Sequence, residues 1–204
     1  MNKSKFVLVL LLAHCLISIS FFASQYFWIL FPITMTLLSY IARKNCNMIK
    51  RFRNTFTVKD AMLGIISGAI LYLLFFCSYI LIKSVFPLLL QYIEELYELV
   101  GPSQPWQYLL LIFIIIPGEE IFWRGFVQNK LSILVSSDWS KIMLASGLYG
   151  IAHIWTGNIM LISAALTGGL FWGLLLYWKK NIGIVILSHY TFNLFLLILF
   201  PLTF

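Results

Sequence analysis

FVLVLLLAHCLISISFFASQYFWILFPITMTLLSYIA, residues Phe6 to Ala42, contains no carboxylate, lysine or arginine. An α-helix crosses the roughly 30 Å hydrocarbon layer of a bilayer with about 20 residues. The stretch is therefore too long for one span, and Ser24-Gln25 mark the place where it breaks into two helices. The rest of the chain keeps this character. Of its 204 residues 61% are hydrophobic and 10% charged, whereas soluble domains carry about 25% charged residues. A soluble fold of this length could not hide so much apolar surface, so lipid is the solvent for most of it. The expected fold class is all-α, a polytopic transmembrane helical bundle of about seven spans (six to eight). No polar linker is long enough to divide it, so residues 1–204 read as a single integral membrane domain.

Moving outward, a basic loop at 43–60 precedes a third span at about 61–82. A fourth span starts near Gln107 and exits at Lys130. A fifth runs from Lys141 to about Trp155, and Gly157-Asn158 make a turn. A sixth ends at Trp178 before Lys179-Lys180-Asn181, and the last starts at about residue 182. Eight of the fourteen basic residues lie in the first sixty, flanking apolar segments. Basic loops mark the cytoplasmic side, which places the N-terminus, 43–60, 128–141 and Lys179-Lys180 there. The same distribution turns the net charge of +7 towards anionic lipid head groups and away from nucleic acid. MNKSK followed by an apolar run resembles a signal peptide. It lacks a small-residue cleavage pattern and is followed by further spans, so it reads as a retained first helix.

The segment PLLLQYIEELYELVG (87–101) is different. Leu88, Leu89, Tyr92, Ile93, Leu96 and Val100 recur at helical spacing, opposite Glu94, Glu95 and Glu98, which predicts an amphipathic helix on the membrane surface. Cys15, Cys46 and Cys77 are scattered and read as free thiols rather than a disulfide framework.

Three polar islands carry chemistry. The first is IIIPGEEIFWRGF (Ile114–Phe126). An ionisable residue near the centre of a membrane helix costs roughly 3 kcal/mol on insertion scales, so Glu119, Glu120 and Arg124 together demand compensation. Glu120 and Arg124 are four apart and meet on one face, while Glu119 points about 100° away. Pro117 and Gly118 loosen the helix just before them. The second island is SGLYGIAHI (146–154), with Tyr149 and His153 on one face. The third is LSHYTFNLF (187–195), with His189 and Asn193 likewise four apart. Taken singly, each has a plain structural reading: an ion pair, a core histidine, an interhelical hydrogen bond. His14, without such a companion, reads as structural. Taken together they supply a general base, a second proton carrier and two donors for a developing oxyanion. No serine or cysteine has a convincing acid/base partner, so water activated by Glu119 is the more economical chemistry.

At these motifs the chain resembles the CPBP intramembrane proteases, the CAAX protease and bacteriocin-processing (Abi/Rce1-type) family of glutamic endopeptidases. EEIFWR (119–124) is similar to the motif E-E-x-x-x-R, YGIAH (149–153) to F-x-x-x-H with Tyr149 in the phenylalanine place, and HYTFN (189–193) to H-x-x-x-N. The resemblance covers a protease core at about 107–197 and implies a glutamate-dependent intramembrane endopeptidase acting on small, prenylated or leader peptides. It implies Glu119 as the base that activates water, His153 as the group that holds that water, and His189 and Asn193 as oxyanion donors. Glu120, Arg124 and Tyr149 are then supporting residues. No cofactor is implied. The short length is nearer to bacterial members, which points to a bacterial plasma membrane, a peptide or protein substrate, and a partner kinase or exporter of unknown identity. Arg124 and Lys130 suggest a hydrated cavity opening towards the cytoplasm. Two alternatives remain at this point: a zinc protease using Glu119, His153 and His189 with water in the fourth position, or a non-catalytic immunity or regulatory protein of the same fold. A transporter would place similar groups in the membrane, but lacks support from internal repeats.

Overall fold

The computed structural model describes residues 1–46 and 55–202; Lys50, Arg51 and Arg53 of the expected basic loop lie outside the described residues. The described chain is helical throughout. Helix α1 (Lys3–Phe22) starts where the Asn2 side chain accepts from the Lys5 amide at 3.0 Å. A short turn at Ser24–Tyr26 leads into α2 (Phe27–Asn45), so the apolar stretch breaks where Ser24-Gln25 predict. Helix α3 (Val58–Val85) opens with a capping box: the Asp60 amide donates to Thr57 Oγ1, and the Thr57 amide donates to Asp60 Oδ2. These contacts satisfy amides that a helix start otherwise leaves without partners. Helix α4 is Leu90–Val100 and α6 is Asp138–Ile151. Helix α7 (Ile159–Lys179) and α8 (Ile182–Leu194, prolonged by a π turn at Phe195–Leu199) are capped by Asn158 and Asn181.

The helix at 105–130, here α5, carries the first motif and is not a regular α-helix. It runs through Pro105–Leu110, a π-helical Leu111–Ile115, Ile116–Glu119, a second π-helical stretch Glu120–Val127, and Gln128–Lys130. The Ile116 amide donates to the Leu111 carbonyl and the Gln128 amide to that of Trp123, five residues back in each case. In such a ladder the Ile112 carbonyl would be served by residue 117. Pro117 has no N–H to give, and the Tyr190 hydroxyl donates to Ile112 instead, at 2.5 Å. Backbone groups freed inside a membrane need such replacements.

Five stretches are individually long and apolar enough to cross a membrane: Lys3–Phe22, Ser24–Asn45, Val58–Val85, Ile159–Lys179 and Ile182–Leu199. The broken α5 and the 14-residue α6 complete the seven expected elements. Cross-connections fix which ends meet. Asn181 Nδ2 donates to the Thr55 carbonyl at 3.2 Å and Cys46 Sγ to that of Gly125 at 3.7 Å, gathering the ends that carry the basic residues. At the opposite end Asn158 Nδ2 donates to the Tyr92 carbonyl at 2.7 Å.

Two apolar clusters flank the motifs. One joins α1, α2, α5 and α6 through Ile17, Met35, Phe122, Trp123 and Tyr149. The other joins α3, α7 and α8 through Leu71, Trp172, Val185 and Phe192. Close approach at two glycines sets the spacing. A Cβ on Gly68 would lie 2.3 Å from the Ser188 carbonyl oxygen, and one on Gly118 would lie 2.9 Å from Met35 Cβ. Small residues let helix backbones approach closely in membranes; here they bring α3 against the turn of α8 bearing His189, and α2 against the turn of α5 bearing Glu119.

Candidate active site

The three islands converge on the seam between the clusters. Glu119, Tyr149, His153, His189 and Asn193 line one cavity of about 350 Å³. Of these all but the half-buried Asn193 are buried, and Glu120 and Arg124 lie buried behind the cavity wall.

Glu119 does not stand alone. The Tyr149 hydroxyl donates to its Oε1 at 2.8 Å, which corrects the expectation of a carboxylate without a partner and gives the Tyr-for-Phe difference in the second motif a physical role. A hydrogen bond to a charged group is worth about 1.5–3 kcal/mol, enough to hold one carboxylate rotamer. His153 lies just past the end of α6, at the turn before Ile154–Thr156, and not within the helix as its spacing suggested. Its Nδ1 donates to the Tyr149 carbonyl at 2.8 Å. In a neutral ring that leaves Nε2 as an acceptor. Phe21 packs against the same ring, with centroids 5.3 Å apart.

Glu120 serves two cations. Its Oε1 lies 3.2 Å from Arg124 Nη1 and accepts from His189 Nδ1 at 2.8 Å. The i,i+4 pair expected from the sequence is present, but the first and third motifs are also joined through it. Arg124 is further held between aromatic faces, its Cζ 4.6 Å from the Tyr149 ring centroid and 5.2 Å from that of Trp172. Trp172 in turn stacks on His189 at 3.8 Å and 24° and donates from Nε1 to Ser188 Oγ at 3.3 Å. Tyr149, Arg124, Trp172 and His189 thus form one column of flat groups. Glu120 Oε2, Arg124 Nη2 and Trp123 Nε1 are buried without a protein hydrogen-bond partner, so electrostatics and ring faces rather than a saturated network hold this column. Among the described residues no three His, Cys, Asp or Glu side chains are grouped as a metal site requires.

Sequence reading missed Trp172 and Phe21. Trp172 sits in TGGLFWG (167–173), where its periodicity is that of any apolar helix residue; only its three glycine neighbours hint at close packing. The direction of the cavity also differs from expectation. Its lining comes from the ends of α1, α3 and α6, the starts of α2 and α7, α4, and residues 189–202. All belong to the half of the bundle away from the basic loops. The apolar stripe of α4 faces this cavity through Ile93, Leu96, Tyr97 and Val100, not a lipid surface.

Comparison with curated proteins and with solved structures gives no match. Residues 101–195 match a family model described as type II CAAX prenyl endopeptidase, Rce1-like. That span contains α5 to α8, all three motifs in order, and every polar group of the cavity wall described above. Through residues 101–195 the chain belongs to the Rce1-like family of type II CAAX prenyl endopeptidases, within the CPBP (Abi) group of membrane proteases.

Proposed function

We propose that the chain hydrolyses peptide bonds by glutamate-activated water. A water between Glu119 and His153 gives a proton to Glu119 and adds through oxygen to the scissile carbonyl carbon. His153, with Nδ1 committed to the Tyr149 carbonyl, accepts from that water through Nε2 and orients it. The carbonyl oxygen becomes an oxyanion facing Asn193 and His189 Nε2. Donation from Nε2 requires His189 to carry both protons, because Nδ1 already donates to Glu120; Glu120 balances the resulting charge. Collapse of the tetrahedral intermediate breaks the C–N bond, and the proton held by Glu119 passes to the leaving amine. Donors prepositioned in a site of low dielectric are each worth about 10²–10³ in rate.

The observation that supports this reading is the convergence of Glu119, His153, His189 and Asn193, from three separated segments, on one cavity. The test is Glu119→Gln in purified, membrane-inserted protein. Cleavage should fall to background while insertion and thermal stability are kept, and persistent cleavage in this variant would falsify the mechanism.

A further inference from the structure

We infer that the substrate enters this cavity from the non-cytoplasmic side, and that it is an exported peptide whose apolar segment is flanked by basic residues. The proposal rests on the proteolytic reading above for its chemistry, but access to the cavity is measurable without catalysis.

Three observations carry it. First, the charges of the bundle are strongly one-sided. Every lysine and arginine except Lys83 and Arg124 falls by sequence at the end where α2, α5 and α7 finish and α1, α3, α6 and α8 start. That end is cytoplasmic by the distribution of basic residues, and the cavity lining belongs wholly to the other half. Second, the cavity reaches the surface there. Ser78 lies on the last two turns of α3 and Ser163 on the second turn of α7; both line the cavity and both are exposed. Third, the wall above Glu119 is overwhelmingly apolar, and α4 beside the mouth turns Glu94, Glu95 and Glu98 outward while Ile93 and Leu96 face in. An occupant complementary to both surfaces has an apolar stretch for the wall and positive charge next to it for the helix. A peptide delivered from the cytoplasmic leaflet would meet the closed, basic end instead.

The test uses the full-length chain in intact bacterial cells. Cys15, Cys46 and Cys77 are replaced by alanine, and single cysteines are introduced as Ser163→Cys, Ser78→Cys or, as the opposite-side reporter, Lys180→Cys. A membrane-impermeant maleimide should label the two serine positions in intact cells and Lys180→Cys only after permeabilisation. Labelling of both serine positions only after permeabilisation overturns the inference. The second arm keeps the native cysteines. Right-side-out vesicles receive from outside an apolar peptide flanked by lysines, or the same peptide flanked by glutamates. The lysine peptide should be cleaved several-fold more efficiently, and Glu94→Lys with Glu95→Lys and Glu98→Lys should erase the preference through KM with kcat unchanged. Equal cleavage of the two peptides by the unaltered protein removes the assigned occupant. Cleavage that survives Glu119→Gln would sink the mechanism and leave the labelling result standing.

Discussion

Replacing Arg124 by lysine separates the two roles that the buried guanidinium plays. The charge is preserved, so Glu120, whose Oε1 lies 3.2 Å from Nη1, is not left stranded. The 3–5 kcal/mol typical of breaking a buried pair is therefore not expected in full. What goes is the flat group between two rings, at 4.6 Å from Tyr149 and 5.2 Å from Trp172. A desolvated cation–π contact is worth about 2 kcal/mol, and an exposed one about 0.5–1. With the second contact longer than the first, roughly 2–3 kcal/mol is at stake, and the ammonium recovers part of it without the planar fit. Arg124→Lys should therefore lose about 1–2 kcal/mol of stability, measured by reversible unfolding in detergent micelles. Arg124→Ala should lose more, tempered because Glu120 keeps His189. Since Trp172 also stacks on His189 at 3.8 Å, kcat should drop as well, by up to tenfold for each 1.4 kcal/mol that the transition state shares. A double-mutant cycle with Trp172→Leu should show a coupling of about 1 kcal/mol. Arg124→Lys with unchanged stability and kcat, or a coupling of zero, would refute the stacked-column reasoning.

Tyr149→Phe removes only the 2.8 Å hydrogen bond to Glu119 and keeps the ring; kcat should fall roughly tenfold at little cost in folding, given about 1.5–3 kcal/mol for such a bond, and an unaltered kcat would show that Glu119 is oriented by something else. Glu120→Gln should lower kcat with KM nearly unchanged, because Glu120 lies behind the wall and acts on substrate only through His189; a change confined to KM would contradict that position. Gly68→Ala forces a Cβ to within 2.3 Å of the Ser188 carbonyl oxygen, so α3 and α8 must part; overpacking of this kind costs about 1–3 kcal/mol, and activity should fall further than in an equally destabilising substitution distant from α8. Activity of the purified protein should survive dialysis against a strong chelator, and loss reversed by added zinc would favour the His₂Glu alternative.

The span ends were legible because charged residues and asparagines cannot sit in hydrocarbon without cost: Lys179-Lys180-Asn181 and Ser24-Gln25 turn the chain where expected. The first and third motifs were legible as i,i+4 pairs, since that spacing is set within one helix. What joins them was not. Glu120 reaches His189 only because Gly68 lets α3 and α8 approach and Tyr190 ties α8 to the Ile112 carbonyl, and both are tertiary facts. Trp172 carries no local signal, since a tryptophan against an imidazole and one against lipid have the same helical period. The stripe of α4 misleads for the same reason: its hydrophobic period is identical whether it rests on a bilayer or roofs a cavity. The π turns of α5 left only Pro117-Gly118 as a trace in the sequence.

Those widened turns bear on which changes of chain length this helix tolerates. An apolar span usually accepts the loss of a residue, because hydropathy and length hardly change. In α5 each π turn holds one residue more than an α turn, and the eight residues Glu120–Val127 carry that surplus between Glu119 and the Gln128–Lys130 end. Deleting one of them would let the ladder relax to i,i+4 and turn everything beyond it by about 100° relative to Glu119. Gln128, whose Nε2 donates to the Gly173 carbonyl at 3.1 Å, would then lose its hold on α7 one residue past Trp172. Reading frame along the helix, rather than composition, is the quantity that this segment must preserve.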